Sequence, residues 1–299
     1  MLWRPCAPMP DRFTALAPAK INLTLEVLGP RVDGYHELAS IMQTLAVADE
    51  VEVILGSSGG IEVAGPHAAG VPSDRNNLAW RAVEALARRL GRTAKGVRIR
   101  IVKTIPAAGG LGGGASDAAA VLRLLGAAWG ASEEELLTAA CEVGSDEPFF
   151  LTGGTALVRG RGERVEPLPS LPEHGVVLLL PRQQLEAKTS RMFAALHGGP
   201  FDDGSRTAAL AARLPCALRT GDLYNRFEPV ARTVVEGLAQ DWGRAESAIG
   251  EELRLAGAGP TLFWIGPREA AASVAARLRE AGFDGRVTET VTAGTRWRR

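Results

Sequence analysis

The sequence predicts an α+β protein built from two domains, and three observations carry that prediction. Short runs of period-two alternation crowd the first 65 residues, the pattern of half-buried strands. Helical segments with clear capping residues follow them. A Pro-rich stretch over 167–172 then leads into a second half in which buried-strand runs and helices are interspersed. The expected division is 1–165 and 166–299, and a cleft between two such units is a preferred place for a ligand.

Taken in order, 14–17 and 21–27 read as strands, 29–34 as a turn, and 51–55 and 61–63 as strands around the Gly/Ser-rich 56–60. Asn77 is a ready N-cap for a helix over 78–90, whose Leu78, Val83, Leu86 and Leu90 form one apolar stripe. Residues 97–102 alternate as Val-Arg-Ile-Arg-Ile-Val, a strand that must have ended before Pro106, which has no N–H for a ladder. A helix is expected from about Ser116 to Trp129. Ser132-Glu-Glu-Glu135 satisfies the capping-box pattern and opens another to about Glu142. Asp146 reads as a turn residue before an apolar strand, and 155–158 as a further strand. In the second half, 176–180, 261–265 and 286–292 read as strands, and 190–197, 207–218, 225–241, 245–256 and 269–281 as helices.

Composition removes several function classes. Basic and acidic residues balance at 34 each, so no chain-wide field favours nucleic acid or an anionic membrane, and neither is an expected partner. The basic end, Thr295-Arg-Trp-Arg-Arg299, reads as a solvated tail. No apolar run approaches the roughly 18 residues of a membrane span, and 1–11 lack a secretory apolar segment, so the expected setting is cytoplasmic. Cys6, Cys141 and Cys216 match no metal-ligand spacing, and His36, His67, His174 and His197 form no His-x-x-x-His pair. Lysine occurs only at 20, 95, 103 and 188 in an arginine-rich chain, which makes each lysine worth inspecting.

The chemistry concentrates in Pro106-Ala107-Ala108-Gly109-Gly110-Leu111-Gly112-Gly113-Gly114-Ala115-Ser116, where five glycines fill six positions just before an Ala-rich helix. Glycine backbone and a helix N-terminus together present N–H groups to an anion, so this is a candidate phosphate cradle. A P-loop is excluded, because Ala115 rather than Lys follows the last glycine. A dinucleotide fingerprint is formally met by Gly110, Gly112 and Ala115, but six residues separate the strand from the glycines instead of a direct entry. A merely flexible connector is the plain alternative, at a high cost in chain entropy.

Four other segments stand out. Lys20, with Asn22, lies inside an apolar alternating run, where it is either a strand-edge guard or partner to a phosphate or an Asp. Asp146 is a turn residue or a base, with Glu147 its rival carboxylate. Tyr35-His36 follows a glycine turn and either packs locally or stacks on and hydrogen-bonds a flat base. Gly257-Ala-Gly259-Pro-Thr261 is a second glycine turn feeding a strand.

In this order and spacing the segments resemble the GHMP kinase superfamily over 17–263. Within it, Pro18-Ala-Lys20-Ile-Asn22-Leu and Asp33-Gly-Tyr35-His36-Glu-Leu are most similar to the branch acting on a cytidyl diphosphate sugar alcohol in the non-mevalonate route to isoprenoid precursors. The resemblance implies an N-terminal ATP-binding domain of ribosomal-protein-S5-like type, a C-terminal ferredoxin-like α/β sandwich, and an active-site cleft between them. It also implies ATP-dependent phosphorylation with Mg²⁺ by a monomer or homodimer. Asp146 matches the family's general base and Lys20 the lysine that polarises the acceptor hydroxyl. Pro106 to Ser116 match the ATP loop, with Ser116 on the metal side. Tyr35 and His36 match residues that engage cytosine, and Asn22 and Asn77 are expected polar contacts to substrate. Ala115, Ser145, Ala256 and Ala258 depart from the family pattern, but backbone donors survive those changes. A different GHMP kinase, of mevalonate or homoserine type, a Rossmann-type oxidoreductase and a non-catalytic nucleotide binder remain open.

Overall fold

The computed structural model describes residues 11–180, 188–196 and 200–293. Cys6 and the other residues before Asp11, His197 and the basic tail from Thr295 lie outside the described residues.

Two long strands form the spine. β1 (Arg12–Pro30) and β2 (His36–Leu55) pair antiparallel along most of their length. The sequence suggests two short strands where β1 runs unbroken, and only the end of β2. The reason is visible in the burial: Ser40, Gln43 and Thr44 of β2 are buried polar residues and erase the alternation. Each is satisfied by a tertiary partner, such as Thr155 Oγ1, which donates to Gln43 Oε1 at 2.6 Å. β3 (Gly60–Ala64) and β4 (Val97–Val102) extend one edge, β5 (Thr155–Gly160) pairs onto the first half of β2, and β6 (Arg164–Pro167) pairs onto β5. β8 (Tyr224–Asn225) adds a two-residue parallel edge to β1, completing seven strands.

Helices α1 (Leu78–Arg89), α2 (Gly113–Trp129), α3 (Glu133–Val143) and α4 (Glu147–Thr152) cover one face of this sheet. Both predicted caps are present: Asn77 accepts from Ala79 N, and Ser132 and Glu135 form a reciprocal capping box. Two expectations are corrected. α2 begins at Gly113 rather than Ser116, because left-handed Gly112 (φ 73°) serves as its N-cap. The apolar run after Asp146 is the helix α4, not a strand, with Pro148 in its first turn where a missing N–H costs nothing.

The remaining chain forms a four-stranded antiparallel sheet in the order β11-β7-β10-β9, from β7 (His174–Leu179), β9 (Arg254–Leu255), β10 (Leu262–Pro267) and β11 (Gly285–Glu289). Around it lie α5 (Lys188–Ala194), α6 (Ser205–Arg213), α7 (Glu228–Val234), α8 (Leu238–Ile249) and α9 (Ala271–Glu280). The helices expected over 225–241 and 245–256 are instead α7 and α8. Left-handed Gly237 starts α8 and left-handed Gly250 ends it, leaving 254–255 to pair as β9.

Strand alternation assigns the layers. Val177, Leu179, Leu262 and Trp264 pack against α7, α8 and α9, while Val176, Leu178, Phe263 and Ile265 face Ile21, Leu23, Ile41 and Leu45 of the large sheet. The two sheets therefore share a buried apolar layer, with helices outside both. At one end of that layer the glycine loop before α2 meets the turn before β10.

Candidate active site

The sequence-singled segments converge on a cavity of about 1340 Å³. Lys20 and Asn22 reach it from β1, whose register slips between Pro18 and Lys20 and again between Asn22 and Thr24. Such bulges re-aim side chains from a regular strand. Lys20 is 3% exposed, and its Nζ donates to Asn22 Oδ1 at 2.8 Å and lies 3.5 Å from Asp146 Oδ2. Asn22 Nδ2 donates in turn to Ser40 Oγ, which donates to Thr24 O. A buried ammonium is thus held by a fixed oxygen on one side and a cavity carboxylate on the other.

The glycine loop forms the adjoining wall, with Pro106, Ala107, Ala108, Gly109, Gly110 and Gly112 lining the cavity. Backbone packing explains its glycines. Gly110 (φ 85°) is so close to the second glycine turn that a Cβ would sit 2.0 Å from Ala256 O. Gly112 would place a Cβ 2.8 Å from the Phe150 ring and 3.0 Å from Lys20 Cγ. Lys20 N donates to Leu111 O and Thr261 N to Gly109 O, so β1, the loop and the second turn are tied by main chain. Asn225 fixes that second turn, donating to Leu255 O and Gly257 O at 2.8 Å each. The amides of Gly113, Gly114 and Ala115 precede the first intrahelical bond, Ser116 N to Gly112 O, and form the positive end of α2.

Beneath the loop lies a buried ion cluster that the sequence did not announce. Lys103 Nζ donates to Asp49 and to Asp117 Oδ2, the latter at 2.7 Å, and all three residues are at most 1% exposed. Asp49 also accepts from the amides of Thr104 and Ile105 at the entrance to the loop. Burial pushes the Asp117 carboxyl up to about 8, with Lys103 pulling the other way. Burial opposes the Lys103 charge, but the two acids more than offset it and raise its pKa. The rarity of lysine was the available sequence signal, without a partner to attach to it.

Asp146 is the residue before α4, with its side chain about one-third exposed to the cavity. Glu147 turns inward and is 2% exposed. Burial raises the Glu147 carboxyl to about 7; the backbone amides of Glu147 and Asp146 oppose this, and the Asp146 charge adds to it. The folded chain therefore keeps this proton between pH 4.5 and about 7, where the unfolded chain has released it. Stability falls as pH rises through that window. Glu147→Gln is expected to remove the slope, gaining on the wild type by roughly 2–4 kcal/mol between pH 5 and pH 8. Paired thermal melts across that range measure it, and parallel curves would refute the burial argument.

An aromatic wall stands opposite. His36 stacks on Phe193 of α5 at 4.7 Å and 22°, and Phe193 meets Phe227 edge-on at 4.9 Å. Tyr35 is 48% exposed, with the Arg161 guanidinium 4.7 Å from its ring centroid. Phe193, Phe227 and Arg161 carry no local sequence signal and become visible only through the fold. Asn77 and Ser116, like Leu111, Gly113, Gly114 and Ala115 of the loop, lie off the cavity wall. Asn77 is occupied structurally, capping Ala79 N and donating to Pro72 O. Ser116 is fully buried behind the loop, and its Oγ has no hydrogen-bond partner among the described residues.

The dinucleotide alternative is overturned by the sheet: β4, the strand before the loop, pairs antiparallel with β2. No group of three potential metal ligands of the His, Cys, Asp or Glu type occurs among the described residues, and no described helix is long and apolar enough to cross a membrane.

Comparison with known proteins agrees with this geometry. The family described as GHMP kinases N terminal domain matches residues 77–154, which hold the glycine loop and Asp146. The 4-diphosphocytidyl-2-C-methyl-D-erythritol kinase of Pelotomaculum thermopropionicum is 40% identical over 288 residues, covering 93% of this chain and 98% of that protein. The enzyme of the same name from Saccharopolyspora erythraea is also 40% identical, covering 92% and 89%. A crystal structure of 4-(cytidine 5'-diphospho)-2C-methyl-D-erythritol kinase superposes with a TM-score of 0.72 at 34% identity, covering 94% of this chain and all of that one. A shared fold and near-complete coverage at 34–40% identity lead to one assignment: the chain is an ATP-dependent small-molecule kinase and belongs to the 4-diphosphocytidyl-2-C-methyl-D-erythritol kinase family of GHMP kinases.

Proposed function

We propose that the chain transfers the γ-phosphoryl group of ATP to the 2-hydroxyl of 4-diphosphocytidyl-2-C-methyl-D-erythritol, a step of the non-mevalonate isoprenoid route. The observation that carries this is the Lys20–Asp146 pair, 3.5 Å apart, between the glycine loop and the aromatic wall of one cavity. Asp146 takes the proton of the acceptor hydroxyl, and Lys20, anchored by Asn22, polarises that oxygen. The loop and the first turn of α2 cradle the donor phosphates. Tyr35, His36 and Phe193 hold the pyrimidine. Phosphoryl transfer is mainly alignment and charge stabilisation, so what the base needs most is correct positioning. We assign the loop to a first domain over 1–165 and the second glycine turn to another over 166–299, each contributing one lip of the site.

The expected metal role of Ser116 does not suit its position: its hydroxyl is fully buried behind the loop and does not line the cavity. Mg²⁺ bound through phosphates needs few protein ligands, and the ion would supply neutralisation of the β- and γ-phosphate charge when bound with the donor.

A coupled ADP-release assay tests the assignment. Turnover is expected with the cytidyl diphosphate acceptor and not with homoserine or mevalonate; the reverse pattern would overturn it. Tyr35→Ala is expected to raise KM for the cytidyl acceptor about tenfold, the loss of one base–aromatic contact, with KM for ATP little changed. Equal effects on both substrates would remove Tyr35 from base recognition.

A further inference from the structure

We propose that Arg161 is the acceptor-binding residue for the diphosphate that joins the cytidine to the group being phosphorylated. This deepens the function proposed above and rests on it.

Three observations point to Arg161. The first is charge. Lys20 and Arg161 are the Lys and Arg side chains that line the cavity among the described residues, and Lys20 is committed to Asn22 and Asp146. The donor phosphates have the loop amides and the α2 N-terminus. A second diphosphate, on the acceptor, would otherwise enter the same cavity without a Lys or Arg of its own among the described residues.

The second is placement. Arg161 sits between Gly160 (φ 75°) and Gly162 (φ 129°), in the turn joining β5 to β6. Gly162 is pressed against the main chain before Asp146, so that a Cβ there would lie 2.0 Å from Ser145 O. The guanidinium of Arg161 lies 4.7 Å from the Tyr35 ring centroid. The residue therefore bridges the base-binding wall and the base that takes the hydroxyl proton, the interval a diphosphate linker must occupy.

The third is its bonding state. Arg161 Nη2 donates to Cys141 O at 2.8 Å, which braces the side chain from behind. The nearby Glu163 carboxylate is engaged elsewhere, accepting from the Arg161 main-chain amide and lying 3.8 Å from Arg31. No carboxylate of the described residues forms an ion pair with the Arg161 guanidinium. A planar cation, braced by one N–H and stacked on an aromatic ring, keeps further N–H donors for a phosphate oxygen.

Calorimetric titration of the full chain with CDP and with cytidine tests the proposal. The wild type should bind CDP about 10- to 100-fold more tightly than cytidine, the range of a charge-assisted contact. Arg161→Met should collapse that ratio to within about threefold while cytidine affinity stays within about twofold. Arg161→Lys, which keeps a point charge but loses the planar fork, should retain part of the preference. An unchanged CDP-to-cytidine ratio in Arg161→Met would overturn the proposal. So would an equal loss of both ligands, because Arg161 would then act only through the Tyr35 ring. A wild type that binds neither compound would instead overturn the cytidyl reading of the whole site, a result distinct from either.

Discussion

Asp146→Asn is expected to lower kcat by about 10²–10⁴ while leaving both KM values within a few-fold. The substitution is nearly isosteric, and the amide oxygen can still face Lys20 Nζ, now 3.5 Å from the carboxylate. Substrate binding should therefore survive. What disappears is the proposed acceptor for the hydroxyl proton, equivalent to about 3–5 kcal/mol of barrier. Rescue by Glu147 is not available, because that carboxyl is 2% exposed and does not line the cavity. The ceiling on the loss comes from the reaction itself: a loose transition state is stabilised chiefly by alignment and phosphate charge, which Asn leaves in place. Single-turnover rates with saturating substrates measure the effect directly. Turnover near the wild-type rate would remove Asp146 from proton transfer and leave Lys20 with a purely electrostatic partner.

Local signals carried the sequence reading furthest where a structure is set by neighbours in the chain. Asn77 and the Ser132–Glu135 box mark helix starts that the structure reproduces, and β4 matches its alternation residue for residue. The site was legible as separate motifs: Lys20, the glycine loop, Asp146 and Tyr35-His36 could each be read, but not their meeting point. Legibility failed where tertiary contacts set the structure. β2 hides its length because Ser40 and Gln43 are buried through cross-strand hydrogen bonds instead of alternating with apolar residues. Gly113 and Gly114 are poor helix formers, yet they begin α2. Phe149-Phe150-Leu151 reads as a strand by composition but packs as α4 beneath α2. Arg161 and Phe193 acquire meaning only from Tyr35 and His36, which lie more than 120 residues away in the chain.

The same distinction makes Lys103 the position with the largest expected effect on stability. Lys103→Met keeps the aliphatic stem but removes the cation between two buried carboxyls. Breaking a buried ion cluster by deleting one member costs about 3–5 kcal/mol, because the remaining charge is left without compensation. For a chain of this size that corresponds to a fall in melting temperature on the order of 10 °C. The stability of the variant should itself depend on pH in a defined direction. Burial already raises the Asp117 carboxyl to about 8, and without Lys103 the pull that lowers it is gone, so the folded chain holds a proton that the unfolded chain has released and stability falls as pH rises above the ordinary carboxylate range. The variant should therefore melt higher at pH 5 than at pH 8. Asp117→Asn supplies the control, since burial already drives Asp117 toward its neutral form with a pKa of about 8. Added to Lys103→Met, it should restore part of the stability by removing one uncompensated acid. The cluster also holds the loop: Asp49 accepts from Thr104 and Ile105 just before it, and Asp117 is fixed one turn into the helix just after it. KM for ATP should accordingly rise in Lys103→Met at temperatures where the variant is still folded, with KM for the acceptor changing less. A variant that melts like the wild type and binds ATP normally would mean that the three buried groups neither stabilise the fold nor brace the loop.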